Sequence, residues 1–166
     1  MALVYFDSSA LVKLVVQETG TDLAAELWDG CDAALASRLA DPEVRAALAA
    51  AGRNHDLSAD DLGTAEQTWE QYWATVRPVE LTAAVERHAG QLARAHALRG
   101  ADAVHLASAL AIGDPDLVIA VWDRRLHAGA VTAGLRTAPA DLAPAPPQSP
   151  PPEVRFPPEG LRADGG

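Results

Sequence analysis

The sequence predicts an α/β fold, a mostly parallel sheet with helices on both faces. Short apolar runs of strand-forming residues alternate with longer stretches of helical period, the pattern of strands joined by crossover helices. Two of those runs, "VYFD" ending at Asp7 and "AVWD" ending at Asp123, close on an aspartate that directly precedes a helical pattern. A chain of 166 residues, 49% of them hydrophobic, supplies one proper core and is short for two.

Leu3, Val4, Tyr5 and Phe6 read as the first strand, and Ser8, Ser9 and the periodic Leu11, Leu14 and Val15 as a capped amphipathic helix. "GTDLAAELWDG" reads as a second helix ended by Gly30, and "DAALAS" as a brief buried strand. "LADPEVRAALAAAG" is Ala-rich and helical, closed by Gly52. Ser58, with Asp61 three residues on, opens a further helix through Trp69, Tyr72 and Trp73 in the manner of a capping box. Aromatics at i, i+3 and i+4 suit core packing better than a platform for stacked bases. "PVELT" is a weak strand, Thr82 caps a helix reaching about Leu98, and "GADAVHLASALAIG" is another helix. "DLVIAVWD" reads as a buried strand, "RRLHAGAVTAG" as a closing helix and "LRT" as an edge strand. From Pro139 to Pro158 nine of twenty residues are proline with little apolar bulk, which no packed core tolerates. The folded unit is therefore expected over residues 1–138, with 139–166 a Pro-rich, disordered tail.

The net charge of −10 argues against a broad electrostatic footprint for nucleic acid, although a local carboxylate cluster neutralised by cations is hidden in such a sum. Cys31 is the only cysteine, so no internal disulfide forms and the residue reads as a small hydrophobe. No stretch has the apolar length to span a bilayer and the amino terminus has no signal-type pattern, so a soluble, cytoplasmic protein without a membrane partner is expected. His55, His88, His96 and His127 have no metal-ligand spacing, and zinc is not expected. His105, three residues after Asp102 on much the same helix face, reads as a hydrogen-bonded core histidine.

The carboxylates carry the chemistry. Asp7 stands at the junction of strand and helix, where it either only caps the helix or belongs to a site at the carboxyl rim of the sheet. If the strands before Asp7 and Asp123 are parallel neighbours, both carboxylates reach the same rim. Glu43 and Asp102 lie near the starts of two other helices, and a charge at the head of a helix as apolar as that of Asp102 needs a partner, a metal or the helix dipole.

The set "YFDSSALVKL", "SRLADPEVRAAL", "GADAVHLASAL" and "VWDRRLHAGAVTAG" resembles the PIN-domain ribonucleases, and most of all the VapC toxins of bacterial toxin–antitoxin pairs. The resemblance covers nearly all of residues 1–138, with the segments in the family's order. It implies a PIN-like three-layer fold around about five strands, and a metal-dependent endoribonuclease whose acidic quartet is Asp7, Glu43, Asp102 and Asp123. It also implies that a serine hydroxyl, of Ser8 or Ser9, supports the first aspartate; Ser8 is assigned that role. A cognate antitoxin protein and a homodimer are implied partners. Leu11, Leu14, Val15, Leu27 and Trp28 offer an apolar groove for a short antitoxin segment, unless they are simply core.

The residue types suit this chemistry. Carboxylates converging on one pocket repel, so they take up protons or bind cations, and Mg²⁺ or Mn²⁺ are hard ions that prefer oxygen ligands. Arg38, Arg45, Arg124 and Arg125 lie near the expected rim, and Arg124 and Arg125 in particular are candidates to grip an RNA backbone despite the acidic total.

Competing classes fit less well. A haloacid-dehalogenase-type phosphatase wants a second aspartate two residues after the first, where Ser9 stands; a response-regulator receiver wants an acidic pair and a late lysine, and Lys13 is the only lysine. A non-catalytic PIN-like binding module is the remaining alternative, and it gives no reason to keep four mutually repelling groups.

Overall fold

Leu3–Phe6 (β1) forms the centre of a five-stranded sheet because Val4, Tyr5 and Phe6 have apolar neighbours on both faces. The structure, a computed structural model, describes residues 1–142. After β1 come Ser8–Val15 (α1), Thr21–Gly30 (α2), Ala33–Ser37 (β2), Ala40–Arg53 (α3) and Ala59–Trp73 (α4). Arg77–Val79 (β3), Ala83–Ala95 (α5), Gly100–Ala111 (α6), Val118–Ala120 (β4), Arg124–Thr132 (α7) and Arg136–Ala138 (β5) complete the order. All five strands are parallel, in the order β3-β2-β1-β4-β5. Among the described residues no helix is long and apolar enough to cross a membrane.

The two faces of β1 feed two cores, as the period of two along a strand demands. Val4 and Phe6 pack with Leu11, Val44, Leu48 and Trp69 under α1, α3 and α4. Tyr5 points the other way, joining Leu106, Leu117, Ile119 and Leu126 under α5, α6 and α7. Trp69 is fully buried, as the aromatic spacing on α4 predicts.

The strand order places a topological switch point between β1 and β4: the chain leaves β1 toward β2 and β3, then returns to lay β4 on the other side. Ligands in open α/β sheets collect in the crevice at such a point, outside the carboxyl ends of the strands. Register pairs Phe6 with Ala120, so the residues that follow each strand emerge at one rim.

Several boundaries differ from the sequence pattern for identifiable reasons. The ladder of β4 stops at Ala120, although Val121 N–H still donates to Ala138 O at 2.9 Å; Trp122 N–H then turns to the Ser9 hydroxyl at 2.8 Å, which takes the chain off the sheet before Asp123. Gly52 does not end α3, which runs on to Arg53; a Cβ there would meet Leu62 Cδ2 at 2.7 Å, so the glycine permits close approach of α4. The fifth helix ends at Ala95 rather than near Leu98, because Ala97 takes a left-handed backbone with φ of 51°. The Pro-rich segment from residue 143 on lies outside the described residues.

Gly20 precedes α2 with φ of 95°, and an added Cβ would stand 2.5 Å from Trp122 Nε1. Gly20→Ala thus combines backbone strain with a clash, and a loss of about 1–3 kcal/mol is expected from urea unfolding. A change within about 0.5 kcal/mol, typical of an unremarkable surface position, would count against this packing.

Candidate active site

Asp7 follows β1 directly and caps α1: its Oδ1 accepts from Ala10 N–H at 3.0 Å. Asp7 therefore caps the helix from a position at the carboxyl end of a central strand. The hydroxyl that supports Asp7 is that of Ser9, which reaches Oδ1 at 2.7 Å and Oδ2 at 3.0 Å. This corrects the assignment of Ser8, whose hydroxyl donates instead to Glu43 Oε2. Successive residues of a helix point about 100° apart, so the two serines serve different carboxylates. Asp7 N–H also donates to Ala120 O at 3.1 Å, tying the ends of β1 and β4 together. Only 4% of Asp7 is exposed; burial pushes its carboxyl above the ordinary value, and the nearby His105 ring and the Ser9 hydroxyl oppose that rise.

Glu43 projects from the first turn of α3. Its Oε2 accepts from Ser8 and from His105 Nε2, the latter at 2.7 Å, and no hydrogen bond among the described residues goes to Oε1. Burial raises its carboxyl, but the bonds from His105 and Ser8 outweigh it and hold the group below the ordinary value.

Asp102 lies in the first turn of α6, and its Oδ2 is buried without a hydrogen-bond partner among the described residues. Burial first, and the charge of Asp123 second, push its carboxyl up, while Arg99 and His105 act against the rise. Asp123 caps α7 through Oδ1, which accepts from Arg125 and Leu126 N–H at 2.9 Å each.

Four carboxylates from four segments are thus electrostatically linked. His105 acts on Asp7, Glu43 and Asp102, and Asp123 acts on Asp102. Among the described residues, Glu43 accepts its hydrogen bonds at Oε2 and Asp123 accepts those of the α7 backbone at Oδ1. Among the described residues no three His, Cys, Asp or Glu side chains already stand as a group able to hold a metal ion. The donor set nevertheless suits a hard cation, being all carboxylate oxygen, and Asp102 Oδ2 is the kind of stranded buried acceptor that a cation would satisfy.

The arginines divide. Arg38 is engaged by Glu80 at 2.7 Å on an exposed edge, because the register of Ser37 with Val79 sets the next residues of β2 and β3 side by side. Arg45 pairs with Asp41 one turn away at 2.9 Å. Arg124 and Arg125 line a cavity of about 350 Å³ together with Asp123, Trp122 and Arg99. Arg99 is absent from the sequence reading, and its position just ahead of a helix start gave no signal of it. His105 is a buried, hydrogen-bonded histidine as expected, but its partner is a carboxylate of the candidate site.

An all-parallel five-stranded α/β sheet in this strand order defines a class of small parallel-sheet domains, and the family model of the PIN domain matches residues 4–130. The chain belongs to the PIN-domain family. It is 74% identical over 144 residues to two proteins from strains of Mycobacterium tuberculosis, Ribonuclease VapC45 and Ribonuclease VapC49; each alignment covers 87% of this chain and 100% of the relative. The crystal structure of FitAcB from Neisseria gonorrhoeae shares the fold, with a TM-score of 0.59 at 16% identity, over 81% of this chain and 95% of that one.

Proposed function

We propose that this chain is a metal-dependent endoribonuclease that acts as the toxin of a toxin–antitoxin pair. The reading is supported above all by the electrostatic linkage of Asp7, Glu43 and Asp102 to the one buried His105, and of Asp123 to Asp102, in a PIN-family chain. The 74% identity to proteins named ribonucleases over their whole length supports it.

Asp7, Glu43, Asp102 and Asp123 would hold Mg²⁺ or Mn²⁺. When bound, the cation supplies positive charge against the scissile phosphate and acidifies the attacking water. The chain's own residues do the rest. Ser9 and the α1 backbone hold Asp7, and the N-terminus of α7 holds Asp123, so these carboxylates are aimed before substrate arrives. Arg124 and Arg125, beside Asp123, grip phosphate oxygens of the RNA, and Arg99 lines the same cavity. Arg38 joins them only by leaving Glu80.

The folded nuclease unit is assigned to residues 1–138, with the Pro-rich 139–166 dispensable for cleavage, and the protein to the cytoplasm as a homodimer. For the antitoxin, the half-buried Leu14, Val15, Leu27 and Trp28 remain candidates, whereas Leu11 is fully buried and belongs to the core. Purified protein with Mg²⁺ or Mn²⁺ is expected to cut RNA internally and to lose the activity in chelator. Cutting that survives chelation rejects the metal role, and a well-folded protein that cuts no RNA under either ion returns the reading to a binding module.

A further inference from the structure

Beneath Glu43 lies a chain of buried polar groups that metal binding and phosphate contact leave unexplained. Ser37 N–H, at the end of β2, donates to the Tyr5 hydroxyl at 3.1 Å; that hydroxyl lies 2.9 Å from His105 Nδ1; and His105 Nε2 lies 2.7 Å from Glu43 Oε2. Tyr5 is fully buried, packed among Leu, Ile, Val and Ala side chains, and His105 is 3% exposed. Burying a hydroxyl and an imidazole in such surroundings costs free energy that an apolar pair of similar shape would avoid.

We propose that Tyr5 and His105 are positioning residues that aim the Glu43 carboxylate. The proposal rests on the reading of Glu43 as part of the nuclease site and deepens it. Tyr5, edge-on to the imidazole at 76° with ring centroids 6.1 Å apart, fixes the plane of the ring from the centre of the sheet. The ring then fixes one carboxylate oxygen. His105 Nε2 and the Ser8 hydroxyl meet at the same Oε2, and Ser8 Oγ is itself 3.2 Å from Nε2, so a closed three-group contact stops the carboxylate from turning. Oε1 is left without a hydrogen bond among the described residues. Glu43 is half-buried, with a side chain 29% exposed, and sits on a long flexible stem that would otherwise sample several rotamers. A histidine serving only as core packing has no reason to send its second nitrogen to a carboxylate at the rim. Outer groups that orient a metal-holding side chain in this way are worth about 10- to 100-fold in metal affinity or activity when removed.

The test uses the full chain and three variants, His105→Leu, His105→Gln and Tyr5→Phe. Three quantities are measured: the Mn²⁺ dissociation constant without RNA, kcat and KM for RNA cleavage, and the melting temperature in chelator. His105→Leu is expected to weaken Mn²⁺ binding by about tenfold or more and to lower kcat by a similar factor, with KM within about twofold. His105→Gln, whose amide still donates toward Glu43, is expected to recover most of the loss. A His105→Leu protein that folds and binds Mn²⁺ within about twofold of wild type overturns the proposal, as does a Gln variant as weak as the Leu variant. If His105→Leu does not fold, Tyr5→Phe, which keeps the packing ring, carries the same criterion. Nitrogen-coupled NMR of the wild type gives an independent readout, since the His105 ring should carry a slowly exchanging hydrogen on Nε2; a bare Nε2 overturns the relay. Wild-type protein that neither binds Mn²⁺ nor cuts RNA refutes the nuclease reading instead, and the NMR result then still decides whether the relay exists.

Discussion

Asp7→Asn is expected to lower RNA cleavage by on the order of a thousandfold while leaving the metal-free protein as stable at neutral pH as the wild type, or more so. Asparagine keeps the shape and still caps α1, since its amide oxygen accepts from Ala10 N–H as Asp7 does. What it removes is a negative oxygen in a place where burial makes charge costly. The sign follows from linkage. The folded carboxyl titrates above its ordinary 3.8, so below that pH Asp7 is protonated in both states, and its contribution to stability is fully present. As pH rises from there through the folded value, the unfolded chain releases its proton first and that contribution is lost. Asparagine has no proton to lose, so the stability of the variant relative to wild type should grow with pH across this window. Urea titrations in chelator at a series of pH values measure it. Added Mg²⁺ should stabilise wild type and not the variant. Wild-type cleavage by Asp7→Asn would remove Asp7 from the site, and a stability gap that shrinks with pH would contradict the burial argument.

Trp69→Ala should be the most damaging single change to the fold, costing about 3–5 kcal/mol, a large share of the roughly 5–15 kcal/mol that holds such a domain together. Trp69 is wholly buried where α4 meets α3, tilted against Trp73 with centroids 5.5 Å apart, and its indole N–H donates to Asp41 Oδ1 at 2.9 Å. Asp41 lies two residues before Glu43 in the first turn of α3, so the same contact anchors the turn that carries one of the proposed site carboxylates. Trp69→Phe separates the two contributions. It keeps most of the packing and gives up the hydrogen bond, for which about 1 kcal/mol is expected, because Asp41 retains Arg45 at 2.9 Å. Denaturant unfolding of both variants checks the pair. Equal losses would mean that the indole nitrogen, and not the ring volume, dominates.

Much of this architecture is legible in the chain because its signals are local. The strand before Asp7, the caps at Ser58 and Thr82, and the aromatic stripe on α4 are each specified within a few residues, and the structure has them in place. The apolar segment before Asp123 was legible as a strand but not its end, since Trp122 leaves the sheet for a hydroxyl on α1. Family resemblance picked out the acidic residues. It could not say which serine serves which acid, nor that Glu80 engages the Arg38 guanidinium.

The sequence by itself determined the alternation of elements, the parallel sheet and the placing of aspartates where strands give way to helices, because periodicity and capping act between near neighbours in the chain. Only the tertiary structure decided that β4 lies beside β1, that Tyr5 and His105 stand behind Glu43, and that Ser9 rather than Ser8 holds Asp7. The first two join residues far apart in the chain, and the third turns on which way two adjacent side chains face once α1 is docked. Strand register and helix docking create those contacts, and no local pattern encodes them.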